Sequence, residues 1–435
     1  MGRGATACAL PEKMSVYYKS HFPSDDVFKF CTLHHEDRPE NREVAVTNAD
    51  DIWRRYNSVR NGRDLRDLAL RAGEGATLHL GPHYNEASHR ARTPGVCAVG
   101  KQLPFDLDLT DVAFLNIPKT DQSANDRFVR LIFGQVHILR AILREVFGFE
   151  HFLPVYSGRR GVHLWVLDAR ADALADEARK AVCAMINPPQ SKRDPRLFNR
   201  RSIEAHPSFW GDQVQSAIYA VRTRVVLAPY KEGGIGLFDS KLRVEAFLDK
   251  LFERGSSDPP SKWREHEDAC ERHVRATMRN VCGADAFGTL EAAILRELPE
   301  GGGGRRLEAS QVAYSTLLQK LHDIVFSLLW PTLDVGPSAQ MGHCVKMPFS
   351  EHGSTKRISL PIEQLLPTAS GSSSLPPIVR AFELGTDAEK ADEFAKAVSF
   401  LRSTVSFARR GYAPPPSYDD IEDLAGRQPK IPRSH

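Results

Sequence analysis

The chain has 435 residues, of which 41% are hydrophobic and 26% charged, with a formal net charge of +3. These proportions exclude a low-hydrophobicity disordered chain. The small net charge means that any nucleic-acid contact must come from a local patch and not from a basic protein overall.

The length allows two or three domains, or one large core with an insertion. Seven cysteines (Cys8, Cys31, Cys97, Cys183, Cys270, Cys282 and Cys344) are scattered with no Cys-x-x-Cys pair. That argues against a disulfide framework and against a cysteine zinc site readable from spacing, so reduced thiols in an intracellular protein are expected. No apolar run has the form of a signal peptide. None approaches the roughly 18 residues that a membrane span needs.

In chain order, a Pro-Glu helix start at Pro11-Glu12 precedes aromatic residues at roughly helical spacing, and Arg42–Val46 alternates like a strand. Asn48 or Asp50 would cap a helix running to about Val59. Thr77–Leu80 is a short strand candidate. Leu103–Leu109 is a stronger one, with Phe105, Leu107 and Leu109 on one face and Asp106 and Asp108 on the other. The apolar stripe over 127–148 predicts a helix with a buried face. Strands follow at about 151–156 and 162–168, then a helix at about 172–186.

From about 188, prolines (Pro188, Pro189, Pro195, Pro207) interrupt the pattern. Charged, helical segments then extend to about 298. Gly301–Gly304 reads as a flexible joint, 306–330 as a helix, 340–362 as two strands around a polar loop, and 386–409 as a last helix. Residues 411–435, with three prolines and then acidic residues, read as a mobile tail. The pattern predicts an α/β core from 10–187 and 306–410, with a mainly helical insertion over 188–305.

Three blocks carry chemistry. Asp106 and Asp108, two apart on one strand, point the same way, with Cα atoms about 7 Å apart. That permits shared ligation of divalent ions about 3.5–4 Å apart, as nucleotidyl transfer uses. An isolated Asp-x-Asp is more often a solvated strand face. The second block, Val-Tyr-Ser-Gly-Arg-Arg-Gly-Val-His-Leu-Trp-Val (155–166), sets Arg159 and Arg160 between Gly158 and Gly161, with Ser157 before and His163 after. Glycines allow a tight turn, and arginine forks and exposed amides suit phosphate oxygens. The competing reading is a surface hairpin with a core-packed histidine. The third block holds Asp334, a candidate third carboxylate, and His343, Lys346 and His352, candidate phosphate ligands.

Taken together, the sequence resembles the small, catalytic subunit of the eukaryotic and archaeal DNA primase. The resemblance rests on ordered blocks at 41–56, 105–111, 156–166 and 333–362, and covers about 13–187 and 306–400. It implies a prim-pol α/β core with a helical insertion. It also implies synthesis of short RNA primers from ribonucleoside triphosphates on a single-stranded DNA template. The implied partners are a large primase subunit and the DNA polymerase alpha complex, in the nucleus of a eukaryote, with no membrane involvement. Asp106, Asp108 and Asp334 match the carboxylates that bind Mg²⁺ or Mn²⁺. Glu43 matches an acidic active-site residue, and Arg55 a nearby basic one. Ser157, Gly158, Arg159, Arg160, Gly161 and His163 match the nucleotide-holding turn, and His343, Lys346 and His352 the second phosphate segment. Two rival readings are a prim-pol repair or tolerance polymerase and a degenerate scaffold subunit. The survival of all three carboxylates weighs against the scaffold.

The chain departs from that pattern in two places. Thr77 and His79 stand where a lysine and an aspartate are expected. The loop Val112–Phe128, where the family carries zinc ligands, has no cysteine and no histidine. Its Asp111, Asp121 and Asp126 are poor substitutes, because structural zinc prefers sulfur and nitrogen. The loop is therefore predicted to lack zinc and to be held by Phe114, Leu115 and Ile117. Zinc quantification on purified protein tests this: the expectation is no tightly bound equivalent, and one coordinated by this loop contradicts it.

Overall fold

A computed structural model describes residues 15–410, except 49, 113, 119, 188–195, 199, 206, 255–263, 300–307 and 368–377. The expected Pro11-Glu12 helix start, the Gly301–Gly304 joint and the 411–435 tail lie outside the described residues.

Short helices α1 (Val16–Ser20) and α2 (Ser24–Cys31) lead into β1 (Arg42–Thr47) and β2 (Trp53–Asn57). The helix expected before Val59 is therefore a strand. Asn48 Oδ1 accepts from the Asp50 and Ile52 amides, and Asp51 takes φ +57°. The Asn side chain thus closes a turn instead of capping a helix, and the β-forming Trp53 and Tyr56 follow as a strand. Next come α3 (Gly62–Ala72), β3 (Thr77–Tyr84), longer than expected, β4 (Ala98–Gly100), β5 (Leu103–Asp108) and α4 (Gln122–Phe147). Asp121 caps α4 by accepting from the Ala124 amide, and Gly148 ends it in the left-handed conformation.

β6 (Phe152–Tyr156), β7 (Gly161–Val166), α5 (Ala169–Asp172) and α6 (Asp176–Ile186) precede a helical stretch. That stretch holds α7 (Arg200–Glu204), α8 (Asp212–Val221), α9 (Lys241–Phe252), α10 (Arg264–Met278) and α11 (Ala286–Leu295). The chain continues with α12 (Ala309–Leu329), α13 (Val335–Ala339), β8 (Val345–Lys346) and α14 (Ala388–Arg410). Of the two strands expected over 340–362, only β8 forms as a strand. The rest is a loop closed by a Glu351–Ile358 bridge.

Two sheets result. In the first, the order is β2-β1-β3-β4, with β8 also pairing to β3; in the second it is β5-β7-β6, all pairs antiparallel. The second sheet is covered on both faces. Phe105, Leu107, Val162 and Leu164 face an apolar cluster with α4, α12 and residues of the helical stretch, such as Val221, Phe247, Val274 and Leu290. On the opposite face, Leu153, Val155 and Trp165 join a second cluster with α1–α3, the first sheet and α14. Trp165 meets Phe30 edge to face at 5.3 Å. The same face carries Asp106 and His163 further along, so one sheet surface is apolar at one end and polar at the other.

Leu164 is fully buried in the first of these clusters. Leu164→Ala should cost about 2–5 kcal/mol of unfolding free energy, measured by urea denaturation. Leu242→Ala, at a position 81% exposed, should stay within about 0.5 kcal/mol.

Candidate active site

The β5–β7 register sets the site. Asp106 lies opposite His163, and Asp108 opposite Gly161. Both carboxylates are thereby carried to the mouth of the Ser157–Gly161 turn. Gly158 has φ +89°, and a Cβ there would stand 3.1 Å from the Arg357 carbonyl oxygen; a Cβ on Gly161 would stand 2.6 Å from the Leu107 carbonyl oxygen. The turn thus requires glycine at both positions. Ser157 and Gly161 close it with reciprocal bonds: the Ser157 amide to the Gly161 carbonyl at 2.9 Å, and the Gly161 amide to Ser157 Oγ at 3.1 Å.

Asp334, 226 positions after Asp108 in the numbering, arrives beside them through a bridge to Asp106, with its amide donating to the Asp106 carbonyl at 3.0 Å. β8 brings Lys346 in from the first sheet. Its Nζ donates to the Ser157 carbonyl, and the residue pairs with His79 across the β3–β8 ladder. Asp106, Asp108, Asp334, the arginine turn and Lys346 are therefore brought together. His352 packs against the turn, where its Cβ would lie 3.1 Å from a Gly158 Cβ and its Nδ1 accepts from the Ser354 amide at 3.3 Å.

Charge is concentrated here. Burial, reinforced by Asp108, Asp334 and Asp111, pushes the Asp106 carboxyl up to about 7. Burial, with Asp108 and Asp334, pushes Asp111 up to about 6. Burial lowers Lys346 to about 8 against the pull of Asp106 and Asp108. His163 is lowered to about 3, first by burial and then by Lys346. It is neutral at pH 7, and its Nε2 lies 3.7 Å from Asp106 Oδ1, too far for a hydrogen bond.

A cluster of hard oxygen donors that repel one another fits a divalent cation of the Mg²⁺ or Mn²⁺ type. Among the described residues, however, no three His, Cys, Asp or Glu side chains converge as a ready metal cage. Two of the carboxylates are engaged within the protein: Asp108 Oδ1 accepts from Arg160 Nε at 2.7 Å and from Thr110 Oγ1 at 2.7 Å, and Asp334 Oδ1 accepts from the Gly336 amide at 3.0 Å. Arg160 Nη1 is buried with no hydrogen-bond partner, a donor suited to an anionic ligand.

Glu43 is held by its own partners. Fully buried, it takes a bidentate pair from Arg55 at 2.7 and 2.9 Å, plus the Tyr84 hydroxyl at 3.0 Å. Arg55 also donates to the Gly342 carbonyl at 2.9 Å, which ties the pair to the loop holding His343. Sequence reasoning missed Tyr84, and it missed Trp53, whose half-exposed indole lies 4.3 Å from the His79 ring. It also missed a buried polar layer of Arg42, Lys101, Gln102, Arg179, His83 and Asp172 behind the first sheet. Lys101 beside a strand and Asp172 within a mixed run gave no periodic signal.

Comparison with known proteins decides the lineage. The family model for the DNA primase small subunit matches residues 105–364, more than half of the chain. The chain belongs to the DNA primase small subunit family. It is 33% identical to the Caenorhabditis elegans DNA primase small subunit over 81% of this chain and 82% of that one. It is 25% identical to the Saccharomyces cerevisiae protein of the same name over 81% of each. An archaeal DNA primase small subunit from Halobacterium salinarum is 29% identical over 41% of each chain. The primase family match begins at Phe105 and ends at Gln364, so it takes in both the carboxylate strand and the His343–His352 segment.

The buried layer gives the chain a pH dependence. His83 is 1% exposed and is pushed far below its usual value by burial, then by Arg42 and His35. The folded chain keeps it neutral while the unfolded chain protonates below about 6.5. Its contribution is complete above that pH and is lost as pH falls. The stability difference between wild type and His83→Gln should shrink by about 1.4 kcal/mol per pH unit between pH 6 and 4, read from urea unfolding at each pH.

Proposed function

We propose that this chain is the catalytic subunit of a DNA primase, making short RNA primers on single-stranded DNA by nucleotidyl transfer. One observation carries the reading. The β5–β7 register sets Asp106 and Asp108 beside the arginine turn, and the bridge to Asp106 adds Asp334. That is a carboxylate group abutting a cationic cradle, the pairing that transfer of a nucleotidyl group requires.

In this reading Asp106, Asp108 and Asp334 hold Mg²⁺ or Mn²⁺. When bound, such ions lower the pKa of the attacking 3′-hydroxyl and neutralise charge on the leaving pyrophosphate. To hold a cation Asp108 would have to give up its contact with Arg160, whose guanidinium would then be available to the triphosphate. Arg159, Lys346, His343 and His352 line the same cradle. His163, neutral, offers a hydrogen bond without adding charge. Glu43 holds Arg55, and Arg55 holds the backbone of the His343 loop.

The prim-pol core would comprise 10–187 and 306–410, with 188–305 as a helical insertion and 411–435 as an appended tail. The working form would include a large primase subunit and DNA polymerase alpha, in the nucleus of a eukaryote.

Asp106→Asn should abolish primer synthesis on single-stranded DNA while leaving the circular dichroism spectrum and melting temperature close to wild type. Synthesis at the wild-type rate would remove Asp106 from the site. Wild-type protein should incorporate ribonucleotides in preference to deoxyribonucleotides. The opposite preference would favour a repair-type polymerase.

A further inference from the structure

The segment between Asp334 and Lys346 links two residues of the proposed site, opening with the short α13 and running on as irregular chain from Gln340 to Cys344. Three charged side chains from three separate parts of the chain hold its backbone. Lys101, between β4 and β5, sends Nζ to the carbonyl oxygens of Pro337 (3.3 Å), Gln340 (3.4 Å) and His343 (2.6 Å). Asp176, at the start of α6, accepts from the Met341 amide at 2.8 Å through Oδ1. Arg55 takes the Gly342 carbonyl at 2.9 Å. The backbone of four consecutive residues, 340–343, is thus gripped by charge.

We propose that Lys101 and Asp176 are positioning residues for the nucleotide site, holding the 336–343 loop so that Asp334 and the His343–Lys346 segment face the arginine turn together. Neither residue touches the reacting groups. The proposal rests on the primase reading for what the loop does, and on geometry alone for how the loop is held.

Three features single out Lys101. It is fully buried, an unusual place for a lysine unless it is paired. Its three acceptors match the three N–H donors of an ammonium, and a neutral amine would leave one of them unmet. Those acceptors are all carbonyl oxygens of one loop, and none is a carboxylate. A salt bridge would have served stability alone, whereas an ammonium shared among three carbonyls of one loop fixes the path of that loop. Burial pulls Lys101 down to about 7, and the carbonyl cage opposes that pull by favouring the charged form. From the far side, Arg179 donates to the Lys101 carbonyl, and the Lys101 amide donates to the Asp172 carbonyl at 3.0 Å. The lysine backbone is thereby fixed to α5 and α6, the same layer that supplies Asp176.

The test uses the full-length chain and three variants. Asp176→Ala removes the acceptor for Met341. Asp176→Asn keeps an oxygen acceptor in the same place. Lys101→Met keeps the length and removes the donors. Two readouts are taken: hydrogen–deuterium exchange of the peptide covering 336–346, and KM and kcat for ribonucleoside triphosphate on single-stranded DNA.

Asp176→Ala should speed exchange at 336–346 while leaving β1 and β3 unchanged, and should raise KM about tenfold. Asp176→Asn should return both readouts to within about twofold of wild type. Lys101→Met should speed exchange over the same peptide and lower kcat as well, because it also releases the segment after Asp334. The inference is overturned if Asp176→Ala leaves exchange and KM at wild-type values, or if Asp176→Asn is as defective as Asp176→Ala. Should the wild-type chain make no primers, the primase reading fails, and the exchange result still decides whether the two residues hold the loop.

Discussion

The pairing of Leu103–Asp108 with Gly161–Val166 is the constraint on which the site depends. A slip of one residue would turn Asp106 and Asp108 into the apolar cluster and bring Phe105 and Leu107 to the polar end. The register is held because the opposite face is filled by Phe105, Leu107, Val162 and Leu164 against α4. The bridge from Asp334 to Asp106 adds the third carboxylate from the segment that joins α12 to α13. Core packing and site geometry are therefore one problem, solved by the same six-residue strand.

Electrostatics explains the second level of organisation. Three anions at the site each have a local partner that occupies them: Arg160 for Asp108, the Gly336 amide for Asp334, Arg55 for Glu43. Asp106 is left to burial and to its acidic neighbours, and its carboxyl is pushed up as a result. The Asp108–Arg160 contact joins the carboxylate group to the arginine turn.

Much of this was legible in the sequence, for identifiable reasons. Alternation over 103–109 exposed the carboxylate face, and the glycine-bracketed arginines marked the turn. The apolar stripe over 127–148 located α4 to within a few residues. The failures also have causes. Asn48 can cap a helix or close a turn, and only the pairing of Trp53 with Thr47 decides between them. β8 is two residues long, too short to show a period. Lys101 and Asp176 act on backbone atoms far away in the chain, and no local pattern encodes that. The helical stretch over 200–295 shares an apolar cluster with α4 and α12, a continuity that a change in sequence texture conceals.

If Asp106, Asp108 and Asp334 act as one cation-binding group beside the arginine turn, as proposed, a bound cation must lie between them. Crystals grown with Mn²⁺ and a ribonucleoside triphosphate, with data collected at the manganese edge, address this directly. The expected result is anomalous density between the three carboxylates, with the triphosphate against Arg160 and Lys346 and the Asp108–Arg160 contact broken. Manganese bound elsewhere, or a triphosphate bound with that contact intact, would contradict it.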